Sequence, residues 1–215
     1  MKREEQAMRT DSGKEDFNII VVGTGGQGVM TASEALAQTA VAAGYDVKKT
    51  EVAGMAQRGG SVSSHVRIGS EVFSPAIAPG KADLLLAMEP AEGLRYFAYL
   101  KPGGAAFVNL AAVVPPVVFA GVASYPNDPV GAMQAANPSV QGIDAAAVGQ
   151  RLGEPRLANM VMLGAASAEL PLQAALLAET ATARFKGRGD DLASLNLRAF
   201  EAGQALASAP AGSLP

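Results

Sequence analysis

The stretch that most constrains this chain is Asn18-Ile19-Ile20-Val21-Val22-Gly23-Thr24-Gly25-Gly26-Gln27-Gly28-Val29-Met30, an apolar run that breaks into glycines and resumes as a helix. A run this short and this rich in Ile and Val suits a strand covered on both faces. Gly23, Gly25 and Gly28 then satisfy the spacing G-x-G-x-x-G. Residues without Cβ permit a tight turn and close backbone approach, and such a turn leaves N–H groups at a helix N-terminus for whatever binds there. Gly23, Gly25, Gly26, Gln27 and Gly28 are therefore candidate binding residues. Tight strand-to-helix packing without a ligand uses the same glycines, and the spacing alone does not separate the two readings.

The chain continues as an Ala-rich helix from Val29 to Ala43, stopped by Gly44, and a second strand from Tyr45 to Val52. A dinucleotide-binding unit would place an acidic residue about 20 positions beyond its glycines to hold a ribose. Glu51 stands there, preceded by Lys48 and Lys49, so a free-standing NAD-binding protein is the rival reading. A second glycine loop follows, Ala53-Gly54-Met55-Ala56-Gln57-Arg58-Gly59-Gly60. A guanidinium beside exposed backbone N–H groups suits a phosphate or carboxylate, which makes Gln57, Arg58, Gly59 and Gly60 further candidates; an interface or salt-bridge arginine is the alternative. Residues 61–68 alternate: Val62, Ser64, Val66 and Ile68 form one face, expected buried, while Ser61, Ser63, His65 and Arg67 form one expected to meet water or a partner. Both glycine loops follow strands, so a parallel sheet would bring them to its carboxyl edge.

Further strands are predicted at 84–88, 105–110, 117–122 and 140–143. Pro90 opens a helix over 91–100, with Glu89 and Glu92 placed to cap it and Arg95 one turn from Glu92, and Lys101-Pro102-Gly103-Gly104 closes it. Helices follow at 129–136, 145–152, 159–170, 172–185 and 190–207, the first two capped by Asp128 and Asp144. Strands alternating with helices early and helices clustering late predict an α/β fold: a three-layer α/β/α domain with a mostly parallel sheet, a Rossmann-like glycine turn after strand 1 and a helical C-terminal extension. The boundaries are a mobile arm over 1–16, the domain over 17–207 and a tail over 208–215.

Composition removes several function classes. Zero Cys excludes a disulfide, a thiolate zinc site and a cysteine-ligated iron–sulfur cluster, and the single His65 argues against a histidine metal site. A formal net charge of -3 gives no basic footprint, so no nucleic-acid partner is expected. The charged 1–16 segment has no apolar core, and the uncharged run from 102 to 127 is broken by Pro115-Pro116 and glycines, so no membrane segment is expected and the location is read as cytoplasmic.

Taken in order, GTGGQGVMTASE, KKTEVAGMAQRGGSVSSHVRIG, SPAIAPGKADLLLAMEPAEGLRY and NMVMLGA resemble the gamma-type subunit or domain of the 2-oxoacid:ferredoxin oxidoreductases, from about Phe17 to about Gly203. Within that family the GMAQRGG loop and the MEPAEGLRY segment are most similar to the beta subunit of indolepyruvate ferredoxin oxidoreductase. The resemblance implies a supporting subunit for coenzyme A-dependent oxidative decarboxylation of indolepyruvate or another aryl pyruvate, with pyruvate, 2-oxoglutarate and branched-chain 2-oxo acids as alternatives. It implies a large alpha-type partner subunit carrying thiamine diphosphate, magnesium and iron–sulfur clusters, electron delivery to ferredoxin, and coenzyme A at the subunit interface. With no cysteine, and no Gly-Asp-Gly run followed by paired asparagines for a thiamine diphosphate magnesium, the chain alone is expected to be inactive.

Overall fold

The computed structural model describes residues 15–54, 59–185 and 190–208. Gln57 and Arg58, most of the expected arm and most of the expected tail lie outside the described residues. Six strands form one sheet in the order β2-β3-β1-β4-β5-β6: β1 Phe17–Thr24, β2 Asp46–Ala53, β3 Ser61–Gly69, β4 Ala82–Ala87, β5 Leu100–Asn109 and β6 Val140–Ile143. β1, β4, β5 and β6 pair in parallel, whereas β3 runs antiparallel to both β1 and β2. Five strands therefore point one way and β3 alone points back. β2 and β3 are a hairpin laid against β1, so β2 takes the edge two places from the glycine turn.

Helices cover both faces. On one side α1 (Val29–Ala42), α5 (Ala145–Arg151), α6 (Ala158–Ala166), α7 (Ala174–Ala183) and α8 (Asp190–Ser208) bury a continuous apolar layer against Ile19, Val21, Leu84 and Leu86. On the other, α2 (Pro90–Tyr96) and α4 (Pro129–Ala136) cover Ile20, Val22, Leu85 and Val108. The alternation along β1 thus feeds two cores from one strand, which is why its sequence reads as uninterrupted Ile and Val. The C-terminal helical segment is docked on the sheet: Met160, Val161, Met162, Leu163 and Phe200 are fully buried. α6 and α8 meet at backbone distance, since a Cβ on Gly164 would lie 1.9 Å from the Phe200 carbonyl oxygen and one on Gly203 would lie 2.0 Å from that of Val161.

Three expectations need correction. Residues 117–122 form no strand: Pro116–Phe119 is a single helical turn (α3), with Phe119 and Val122 80% and 79% exposed. β6 occupies the place beside β5 that this segment would otherwise take. Lys101 to Gly104, read as closing the preceding helix, fall inside β5 as a bulge: Leu100 pairs with Ala82 and Ala105 with Leu84. The helix stops earlier, at Tyr96, and passes into a 3-10 turn over Phe97–Tyr99. The Ser63, His65 and Arg67 face is also covered from within the chain. His65 Nδ1 accepts from the Ile77 N–H at 3.1 Å, its ring packs edge-on against Tyr99, and Arg67 donates to Asn18 Oδ1 at 2.8 Å and to the Ser74 carbonyl at 3.0 Å. Burial pulls the His65 pKa below its ordinary value.

Candidate functional site

The glycine turn sits at the carboxyl ends of β1 and β4, and its side chains and backbone largely satisfy one another. Gln27 Oε1 accepts from the Thr24 N–H at 2.8 Å while its Nε2 donates to the Met88 carbonyl at 3.0 Å, tying the turn to the end of β4. Gly23 is required there, because a Cβ would lie 2.9 Å from both Gln27 Oε1 and Met88 Cβ. The Gln27 N–H donates to the Thr24 carbonyl, and the Gly25 N–H donates to the Gly60 carbonyl at 2.8 Å. The Gly59 N–H returns to the Gly25 carbonyl at 3.5 Å, so the two glycine loops are clasped together. The N–H groups of Thr24, Gly25 and Gln27 are thus already engaged by the protein. What the turn still offers is the start of α1: its cap, Gly28, has a φ of 83° and supplies no side-chain cap, leaving first-turn N–H groups for another acceptor.

That helix start opens on a cleft of about 530 Å³. Gly26, Gln27, Gly28 and Thr31 form one wall, Met88 and Asn109 at the ends of β4 and β5 form the floor, and Glu154 to Asn159, Arg184, Phe185, Leu192 and Asn196 close the other side. Asn109 is fixed by donating to the Met88 carbonyl at 3.1 Å. Asn159 packs on Gly28, where a Cβ would lie 2.7 Å from Nδ2. Glu154 and Arg156 form a two-point pair, Nε to Oε1 at 2.9 Å and a terminal nitrogen to Oε2 at 2.6 Å, and the Arg156 hydrogen bonds hold the Glu154 pKa down to about 2. The Arg184 guanidinium lies 5.7 Å from the Phe185 ring centroid. With Arg156 already paired to Glu154, the cleft offers helix N–H groups, the Arg184 guanidinium and an apolar wall, a set suited to an anionic ligand with an apolar portion.

Of the residues singled out in the sequence, Gly26, Gln27 and Gly28 line this cleft; Gly23 and Gly25 shape the turn, and Gly59 and Gly60 brace it from β3. Asn109, Arg184, Phe185 and Asn196 carried no sequence signal, and Asn159 only as the first residue of NMVMLGA, because they come from distant parts of the chain, β5, α6, the end of α7 and α8, that only the fold converges. Glu51 lies on edge strand β2, separated from β1 by β3, and pairs with Lys49 at 2.9 Å, so it is not placed beside the glycine turn as a ribose acceptor must be. Glu89 caps α2 as expected, accepting from the Glu92 N–H at 2.8 Å. Arg95 lies 3.4 Å from Glu92. Among the described residues, no group of three or more His, Cys, Asp and Glu side chains is arranged to hold a metal ion, and no helix is long and apolar enough to cross a membrane.

Residues 18–206 match the family model described as pyruvate ferredoxin/flavodoxin oxidoreductase. The chain belongs to this family. It is 37% identical over 194 residues to the indolepyruvate oxidoreductase subunit IorB of Thermococcus kodakarensis, covering 88% of this chain and 95% of that one. It is 42% identical over 150 residues to the subunit of the same name from Archaeoglobus fulgidus, covering 69% and 74%. Two solved structures share the fold. The gamma subunit of a keto/oxoacid ferredoxin oxidoreductase from Geobacter sulfurreducens superposes with a TM-score of 0.63 at 23% identity, covering 89% of this chain and 96% of that one. A 2-oxoglutarate:ferredoxin oxidoreductase from Magnetococcus marinus, with 2-oxoglutarate, coenzyme A and succinyl-CoA bound, superposes with a TM-score of 0.70 at 24% identity. The match covers 94% of this chain but only 32% of that longer one.

Proposed function

We propose that this chain is the small subunit of a coenzyme A-dependent indolepyruvate:ferredoxin oxidoreductase and that its cleft receives the coenzyme. The observation that carries the reading is the 37% identity to a named indolepyruvate oxidoreductase subunit across 95% of that subunit's length. Oxidative decarboxylation needs thiamine diphosphate to stabilise a carbanion and iron–sulfur clusters to take the electrons. The residues here do not fit either group: there is no cysteine, and the described acidic side chains form no metal-binding set. Both belong to a large partner subunit, which passes electrons to ferredoxin, and the complex works in the cytoplasm.

Coenzyme A suits the cleft in its chemistry. Its phosphates match the uncapped N-terminus of α1 beside Gly26 and Gly28, and its adenine and pantetheine match the apolar wall around Phe185 and Leu192. Arg58 precedes Gly59 in the sequence and is assigned by its chemistry to the coenzyme phosphates or to the partner surface that shapes the coenzyme channel.

Reconstitution tests the reading. The chain alone is expected to show no oxidation of aryl pyruvates, while the chain mixed with its large partner reduces ferredoxin or a viologen only when coenzyme A is supplied. Turnover by the isolated chain with thiamine diphosphate and magnesium alone would sink the subunit reading. Tight binding of NAD(H) to the isolated chain would favour the free-standing dinucleotide reading instead.

A further inference from the structure

Beyond the cleft, the α2 side of the sheet holds a second cavity of about 310 Å³, bordered by Thr24, Glu89, Glu92, Arg95 and Tyr125. The lining is built. Thr24 stands directly across from Ser61 in the β1–β3 register, and by alternation it shares a face with Ile20 and Val22, which belong to the α2-side core. Its hydroxyl is therefore turned to the side where Ser61 Oγ donates to Glu92 Oε2 at 2.6 Å. Thr24 is 3% exposed, and its Oγ1 is the one buried side-chain polar atom among the described residues without a hydrogen-bond partner. A buried hydroxyl left unpaired is destabilising unless something else meets it.

The charge count points to what that partner is. Glu89 and Glu92 are 1% and 4% exposed, and the one cation paired with either among the described residues is Arg95, at 3.4 Å from Glu92 and itself largely in solvent. Glu89 is held by neutral donors alone: the Tyr125 hydroxyl at 2.5 Å, the Val113 N–H at 3.3 Å and the Glu92 N–H at 2.8 Å. Among the described residues, two enclosed carboxylates against one exposed guanidinium leave a negative charge without a counter-charge, and buried charges are normally paired. The set lacks the third acidic or imidazole ligand of a metal site. The volume exceeds the ~30 Å³ share of a water several-fold, leaving room for a long side chain. Pro115 and Val118 line the cavity, and the exposed Phe119 and Val122 belong to the same segment, so a basic group arriving here meets an apolar collar.

We propose that this cavity is a socket for one lysine or arginine side chain of the large subunit, its cationic head meeting Glu89, Glu92 and Thr24 Oγ1 and its apolar neighbours resting on the Val118 to Val122 segment. The proposal rests on the subunit reading above and adds the surface and the charge complementarity through which the two chains meet.

The test uses the full chain and the purified large subunit, with the dissociation constant measured for wild type, Thr24→Val and Glu92→Gln, and the melting temperature of each chain measured alone. Thr24→Val removes an unpaired hydroxyl, so it is expected to melt at or above the wild-type temperature yet bind about tenfold more weakly. Glu92→Gln is expected to weaken binding on the order of thirtyfold, as loss of one side of a buried charge pair does. If wild type binds and both variants stay within twofold of it, the socket is wrong and the subunit reading survives. If wild type does not bind the large subunit at all, both are overturned. Stabilisation of the isolated wild-type chain by potassium or ammonium chloride, absent with choline chloride and lost in Glu92→Gln, would reassign the cavity to a free cation and also overturn the socket.

Discussion

Gly28 and Arg58 mark the two ends of what single residues disclose. Gly28 was legible as part of a spacing, but its reasons are three-dimensional: a φ of 83° at the start of α1 and an Asn159 side chain that leaves no room for a Cβ. Gln27, read as a possible ligand contact, spends both ends of its amide on Thr24 and Met88, which no spacing rule could anticipate. Arg58 is the opposite case, a residue whose chemistry is legible in the sequence while it lies outside the described residues. An arginine hydrogen bond to a charged group contributes about 1.5–3 kcal/mol. Arg58→Ala is therefore expected to raise the coenzyme A requirement of the assembled enzyme on the order of tenfold to a hundredfold, with complex formation intact, and Arg58→Lys to restore only part because it loses the planar fork. Steady-state titration of coenzyme A at saturating 2-oxo acid measures it. Unchanged dependence in a normally assembled Arg58→Ala complex would leave the arginine a packing residue.

Among the elements, those with a strong periodicity or a cap were legible: β1, α1, α4 with Asp128 accepting from the Gly131 N–H, and α5 with Asp144 accepting from the Ala147 N–H. The β2–β3 hairpin was not, because alternation identifies a strand and says nothing about which neighbour it takes. That pairing is what moves Glu51 to the sheet edge and removes the acidic residue a dinucleotide site would need. The α6–α8 contact was likewise invisible, since Gly164 and Gly203 sit in helices where glycine is unfavourable by propensity and pays off only in close packing. A methyl on Gly203 would meet the Val161 carbonyl oxygen and carbon at 2.0 and 2.8 Å, atoms of a helix backbone that cannot rotate aside. Gly203→Ala is expected to destabilise the chain by roughly 3 kcal/mol despite its better helix propensity, lowering the melting temperature by about 6–12 °C. Calorimetry of the isolated chain decides it, and a rise in melting temperature would mean that α8 is not packed as described.

For the whole molecule, six of the nine exposed large apolar side chains among the described residues share one edge. Met30 at the start of α1, Val52 near the end of β2, and Leu110, Val113, Phe119 and Val122 after β5 lie toward the carboxyl edge of the sheet, the edge that also holds the cleft and the glycine clasp, while Val41, Phe73 and Leu197 lie elsewhere. An apolar surface gathered at one edge, around a ligand-sized cleft, is what a subunit presents to a partner that completes its site. Among the described residues the 110–125 segment is tied to the rest of the chain by the Leu110 N–H to the Ile143 carbonyl, the Ala111 N–H to Asn109, the Val113 N–H and Tyr125 hydroxyl to Glu89, and the Ala91 backbone to Tyr125. Burial and the Glu89 carboxylate push the Tyr125 phenol well above its ordinary pKa, so that anchor stays protonated and donating at any physiological pH. The complex with the large subunit is accordingly expected to bury more than roughly 1,000 Å² in total, as specific interfaces do, with this segment inside it. Hydrogen exchange checks it directly: amides over 110–125 should exchange quickly in the free chain and slow by at least tenfold in the complex, while those of the α6–α8 contact stay unchanged. A complex that forms with 110–125 exchanging as fast as in the free chain would move the interface to another face and take the socket beside Glu89 with it.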